Sequence, residues 1–360
     1  MSTEIMPLAE RLIALRTDPD NRPELQRALN LVMEYLEGFT IERFEKNGSE
    51  SILVYAAESR PSSFTILLNG HLDVIPGKDF QYQPVVKGDR LYGVGSMDMK
   101  SNVACLIAAF KQVARQVSYP IGLQLVTDEE IGGFDGTLHQ IEEGVRADFV
   151  IAGESTDFDI VNQAKGVLWL KVMCKGETAH GAYPWRGRNA VVEMTDALSK
   201  LLKVFPTPKE QQWVTTINVS RIETSNATFN KVPDDCTALL DIRFVPKDAK
   251  DIVTRIKQVF PQAFSFEVIA EEPALDVPKE NPFVELLKKS TEKTIGKKIT
   301  LYGAQGSSDA RHFTRIGVPG VEFGPIGRGI GTDSEWVSIP SLVTYQQVLT
   351  DFLFAVDELG

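Results

Sequence analysis

The feature that most limits the fold of this chain is a local pattern used several times: a short apolar run that ends in a polar, chemistry-bearing cluster. Phe64–Leu68 leads into Asn69-Gly70-His71-Leu72-Asp73, Ile121–Val126 into Thr127-Asp128-Glu129-Glu130, and Phe149–Ala152 into Gly153-Glu154. A helical stretch, Asn102–Val117, lies between the first two. Short apolar strands alternating with helices predict an α/β sheet with parallel strands. In such sheets ligands collect beyond the carboxyl ends of the strands. Here those ends carry a histidine and several carboxylates.

The rest of the chain divides around that pattern. Residues 6–16 and 23–38 have apolar positions at helical spacing, so the chain opens with helices. From about Gly166 the character changes: Val167–Cys174 alternates, Trp213–Ile222 and Cys236–Val245 read as strands, and Asn189–Val204 and Lys250–Val259 as helices. That order suggests a smaller α+β sandwich, ferredoxin-like, set into the first domain. Helical spacing returns at Asn281–Thr294 and Leu342–Leu359. The expected architecture is therefore α/β, a mostly parallel sheet flanked by helices over residues 1–165 and 276–360, with an α+β insert at 166–275. A chain of 360 residues is long enough for two such cores.

Charge and cysteine usage narrow the class. With 38 Lys and Arg against 49 Asp and Glu, the formal charge is −11, which disfavours nucleic acid and anionic lipid as partners. Cys105, Cys174 and Cys236 are far apart and form no CxxC pair, which fits a reducing compartment. No apolar run approaches the ~20 residues that cross a bilayer, and the start, with Glu4 and Glu10, does not read as a signal peptide. A soluble cytoplasmic protein with no membrane partner is expected.

The polar clusters suggest a metal centre. On an extended segment His71 and Asp73 point the same way, so Asp73 can take a hydrogen bond from one ring nitrogen while the other binds metal. A lone histidine at a strand end is more often a turn residue. Tyr92–Lys100 is a glycine-bearing loop with Asp98 at the entrance of a helix, where an N-cap carboxylate is the ordinary explanation. Glu129 and Glu130 repel each other unless something positive neutralises them. Neighbours on an extended chain face opposite ways, so one can bind metal while the other handles protons; a solvated acidic turn is the bland alternative. Glu154 adds a further carboxylate. One imidazole and several carboxylates suit Zn²⁺, with Co²⁺ or Mn²⁺ as alternatives, and leave positions open for water.

Taken in order, His-x-Asp, Gly-x-Gly-x-x-Asp-Met-Lys, Asp-Glu-Glu-x-Gly and Gly-Glu-x-Thr resemble the aminoacylase superfamily of metallopeptidases. That superfamily includes acetylornithine deacetylase, succinyl-diaminopimelate desuccinylase, glutamate carboxypeptidases and cytosolic dipeptidases. The resemblance covers nearly the whole chain. It implies that His71 and Glu154 hold one metal ion and Glu130 the other, with Asp98 bridging both. It further implies that Asp73 orients His71, that Glu129 is the general base, and that the Asp98–Met99 peptide is cis. Thr178–Pro184 resembles a lid segment whose histidine, His180, reaches across a homodimer. Asn230 and Arg243 resemble the pair that grips a substrate carboxylate, and Ser308 and Arg311 belong to a segment resembling a substrate-binding loop. The implied activity is hydrolysis of the amide of an N-acyl amino acid or dipeptide, with one or two Zn²⁺ per chain.

One departure stands out. The superfamily pattern closes on a histidine four residues before a glutamate, and here Gly331 precedes Glu335 at that spacing. The second metal thereby loses its imidazole, and His139, His180 and His312 offer no obvious substitute in sequence. Three outcomes are open: one firmly held metal on the His71, Asp98 and Glu154 side; Asp333 as a replacement donor, favouring Mn²⁺; or a catalytically impaired chain that binds an acylated amino acid or metal.

Overall fold

In the computed structural model, which describes residues 4–358, the three apolar runs are adjacent strands of one sheet. Phe64–His71 lies parallel to Ile121–Val126 on one side and to Ala147–Ala152 on the other. Gly320–Glu322 continues the parallel set beside Ala147–Ala152. The register explains why the polar clusters meet. His71 is paired with Val126, and Asn69 and Glu322 are both opposite Ala152. The residues that follow each strand therefore emerge along one edge, the carboxyl ends, as the α/β reading expects.

The sheet is completed by antiparallel pieces. The hairpin Thr40–Lys46 and Ser49–Tyr55 joins Ile121–Val126. Its turn is Asn47-Gly48, both at positive φ, the preferred chemistry for a tight hairpin. Helix Lys100–Val113 is buried along nearly its whole length and packs against Ile5–Ile13 and Ile339–Val356. Its residues from Asn102 to Phe110 carry no charge, and Lys100 at its start, enclosed with them, donates Nζ to the Leu15 carbonyl at 2.8 Å. The expected end of the last helix, Leu359, lies outside the described residues. A small antiparallel sheet, Gly327–Arg328, Trp336–Ser338, Arg90–Tyr92 and Val85–Lys87, ties the segment after Gly324 to the loop before Asp98.

The chain divides into two compact units. One runs to Gln163 and resumes over Asp276–Tyr302 and from Ser308; the other comprises Ala164–Leu275 with Gly303–Ser307. The second unit is a four-stranded antiparallel sheet in the order Thr216–Glu223, Asp235–Phe244, Gly166–Lys175, Ser265–Glu272. Leu168, Leu170, Val172, Ala238, Leu240 and Ile242 alternate along two of these strands and bury one face against helices Ala190–Val204 and Ile252–Val259. Asn189 caps the first of those helices, accepting from Val191 and Val192 main-chain N–H at 3.0 and 3.2 Å. The mixed α/β class with a separate α+β sandwich is as the sequence predicts. Among the described residues, no helix is long and apolar enough to cross a membrane.

Candidate metal centre

His71 ends one strand, Glu154 follows another and Asp98 lies in the loop before helix Lys100–Val113, yet their ligand atoms all lie within 4.8 Å of one another. His71 Nε2 is 3.0 Å from Asp98 Oδ1 and 3.7 Å from Glu154 Oε1. Among the described residues this is the group of His, Cys, Asp and Glu side chains able to share an ion. Asp98 does not cap its helix: Met99 occupies the N-cap position with no side-chain hydrogen bond there. Its carboxylate turns to the imidazole instead. The Asp98–Met99 peptide is cis, as the resemblance implies.

His71 meets Asp73 through the main chain more closely than through the carboxylate. Its Nδ1 donates to the Asp73 main-chain carbonyl at 3.0 Å, with the carboxylate 3.5 Å away. The strand ends at His71, so the next residues no longer alternate as on an extended chain. The fully buried Asp73 carboxylate accepts from the main-chain N–H of Glu129 at 3.2 Å and of Glu130 at 2.9 Å. It therefore clamps the short 3-10 turn Glu129–Ile131 to the histidine loop.

The electrostatics suit a bound cation. Burial pushes the Glu129 and Glu154 carboxyls well above the usual range, and Glu130 to about 7, with neighbouring carboxylates adding to the effect. Burial works against a charged His71, yet Asp73 and Asp98 outweigh it and hold the ring pKa well above its ordinary value. One imidazole nitrogen and two carboxylate oxygens at this spacing fit Zn²⁺, Co²⁺ or Mn²⁺. Glu130 lies outside the three-residue group. It lines a cavity of about 230 Å³ with Asp98, Gly331, Asp333 and Glu335. Asp333 is ion-paired there with Lys78.

Arg311 and Ser308 lie beside this centre. Arg311 Nη1 is 3.7 Å from Glu129 Oε1, and its Nη2 donates to the Gly132 carbonyl at 2.6 Å. His312 Nε2 reaches the same carbonyl at 2.9 Å. Gly133 passes so close to Asp309 that a Cβ there would stand 1.9 Å from Oδ1, which explains the paired glycines after the acidic turn. Ser308 N donates to Glu322 Oε1 at 3.0 Å. Glu322, Asp309 and Glu335 are buried carboxylates around the centre that the sequence reading did not single out for a role. The available signal for Glu322 was a lone charge inside the apolar run Val318–Phe323.

The remaining candidates belong to the second unit. His180 is bridged to Lys231 across a short antiparallel contact, and Gly181 N donates to the Asn230 carbonyl at 2.7 Å. Arg243 Nε donates to Asp241 Oδ1 at 2.9 Å, with Trp169 Nε1 on the same oxygen at 3.2 Å.

Residues 67–355 match the model of peptidase family M20/M25/M40. The chain belongs to that family. As an M20 protein it is a hydrolase of peptide and related C–N bonds, in a family whose peptidases are metal-dependent. It is 28% identical over 344 residues to succinyl-diaminopimelate desuccinylase of Aromatoleum aromaticum, with 88% of each chain covered. Aminopeptidase PepT of Bacillus cereus shares the M20 fold at TM-score 0.77 and 19% identity, over 97% of both chains. The Bacillus subtilis YXEP protein, described as a dinuclear metal-binding M20 peptidase, matches at TM-score 0.71 and 14% identity, over 99% of this chain and 98% of that one. At these identities the structural matches establish the fold.

Proposed function

We propose that this chain is a cytoplasmic amidohydrolase acting on an N-acyl amino acid or short peptide, with one divalent cation, Zn²⁺ by preference, per chain. The observation that carries the reading is the convergence of His71 Nε2, Asp98 and Glu154 within 4.8 Å beside the half-buried Glu129. His71, Asp98 and Glu154 would hold the cation, which would supply Lewis acidity and bring the pKa of water towards ~7. Glu129 takes a proton from the attacking water and returns it to the leaving amine. Asp73 keeps Glu129 in place through its main-chain N–H. Asn230 and Arg243 bind the substrate carboxylate, a forked guanidinium being suited to that partner. Ser308 and Arg311 contribute to substrate binding from the edge of the centre. Assembly as a homodimer gives His180 its role in stabilising the oxyanion.

The single cation is favoured by what surrounds Glu130. Gly331 brings no donor, and Asp333 is engaged by Lys78, so a second position would rest on Glu130 and Asp98 alone. The impaired-binder reading draws on the same Gly331. Metal content per chain, measured beside turnover of a panel of N-acyl amino acids and dipeptides, separates the two. Glu129→Gln should keep fold and metal and lose about 10²–10⁴ in turnover. Wild-type-like turnover in that variant would remove Glu129 from the mechanism, and bound metal with an inert wild type across the panel would favour the binder.

A further inference from the structure

Glu335 is 4% exposed and belongs to the same segment as Gly331. The small antiparallel sheet delivers it: Trp336 pairs with Tyr92, Val337 with Leu91, and Gly93 N donates to the Glu335 carbonyl at 3.2 Å. This register sets the Glu335 carboxylate against the loop that presents Asp98. Three main-chain N–H groups of that loop converge on it: Gly95 donates to Oε2 at 3.2 Å, and Met97 and Asp98 donate to Oε1 at 2.9 and 3.3 Å. The opposite side of the same loop is also held. The Met97 carbonyl accepts from Ser155 Oγ at 2.7 Å and Asn102 Nδ2 at 3.2 Å, and Asn102 Nδ2 also donates to the Gly153 carbonyl at 2.7 Å. Met97 is thus fixed from both sides, between Glu335 and the turn that carries Glu154.

We propose that Glu335 is a positioning residue for the cation: by gathering the N–H groups of Gly95, Met97 and Asp98 it fixes Asp98 in the place where its carboxylate meets His71 and Glu154. The proposal rests on the reading that those three side chains bind a divalent cation. A carboxylate already accepting three N–H groups is committed to the loop, so it acts through Asp98 and not as a ligand of its own. Charge-assisted bonds of this kind are about twice as strong as neutral ones. The supports behind metal ligands typically set affinity within a factor of about 10–100. The segment 329–335 contributes no imidazole; its contribution to the centre is this carboxylate.

The test uses the full chain stripped of metal and titrated with Co²⁺, following the visible d–d band and the dissociation constant, with apo thermal unfolding recorded in parallel. Glu335→Gln keeps the size of the side chain but turns an NH₂ towards N–H donors. It should weaken Co²⁺ binding by about 10–100-fold and alter the band, while Glu335→Asp should fall between it and the wild type. A purely structural role would lower thermal stability and leave the folded fraction's affinity and spectrum unchanged; that result overturns the proposal. Should Glu335→Gln fail to fold, the Asp variant decides on the same criterion. A wild type that binds no Co²⁺ would sink the metal reading and this proposal together. A wild type that binds, beside variants that bind as tightly, would sink this proposal alone.

Discussion

Gly331→His is the substitution that most directly interrogates the single-cation reading. Gly331 sits at φ +66, a left-handed conformation, so a side chain there costs about 1–2 kcal/mol of backbone strain. Space is not the obstacle. A Cβ would meet only Ile75 Cδ1, at 3.7 Å, an ordinary contact. For a chain of 360 residues each kcal/mol is worth about 1–1.5 °C in Tm, so the apo variant should melt about 1–3 °C below the apo wild type. The imidazole would join Asp98 and Glu130 on the wall of the same cavity and supply a third donor. A second cation at 100 times its Kd would then return about 2.7 kcal/mol, more than the strain removes. The expected result is one metal per chain in the wild type and two in the variant, by elemental analysis after gel filtration. The variant should also melt below the wild type in chelator and above it in excess Zn²⁺. Two metals in the wild type would refute the reasoning directly. One metal in a folded variant would show that the missing imidazole is not what limits the second position.

Asp73→Asn should cost about 1–3 kcal/mol in stability, because an amide presents only one oxygen to the buried N–H groups of Glu129 and Glu130, and should weaken metal binding by about 10-fold or more. Unchanged Tm and unchanged metal affinity in that variant would mean that the turn carrying Glu129 does not depend on this clamp. Burial pushes the Glu322 carboxyl to about 7 from an ordinary 4.5, so the folded chain holds more protons than the unfolded one between those values and the cation-free protein loses stability as pH rises through them. Thermal unfolding in chelator should give a higher Tm at about pH 5.5 than at about pH 7.5, and the reverse order would contradict the assignment.

The parts of the centre visible in the sequence were those attached to strong local patterns. His71, Glu129, Glu130 and Glu154 each follow an apolar run long enough to read as a strand, so their convergence follows from parallel pairing alone. The hairpin at Thr40–Tyr55 went unread although Asn47-Gly48 marks its turn, because Thr40–Lys46 is mostly polar and only partly buried and so lacks the apolar pattern that identified the other strands. Glu322 closes a strand of three residues, and a lone charge in a short apolar run marks no role by itself. Glu335 was seen only as the frame of a missing histidine, since a carboxylate that serves main-chain N–H groups leaves no spacing rule in the residues it serves.

Asp73 shows where such reasoning reaches its limit for a physical reason. Alternation of side chains holds only while the chain stays extended, and the strand stops at His71. Two residues later the carbonyl accepts the imidazole N–H at 3.0 Å, while the carboxylate, 3.5 Å from the ring, accepts from the N–H groups of Glu129 and Glu130. The same holds at Gly331. The absence of an imidazole is legible from spacing, whereas the pairing of Asp333 with Lys78 depends on a contact between segments 255 residues apart. The glycine removes the imidazole outright, and Asp333 would in addition have to leave an exposed ammonium partner, a cost of about 0–1 kcal/mol, before it could serve a cation.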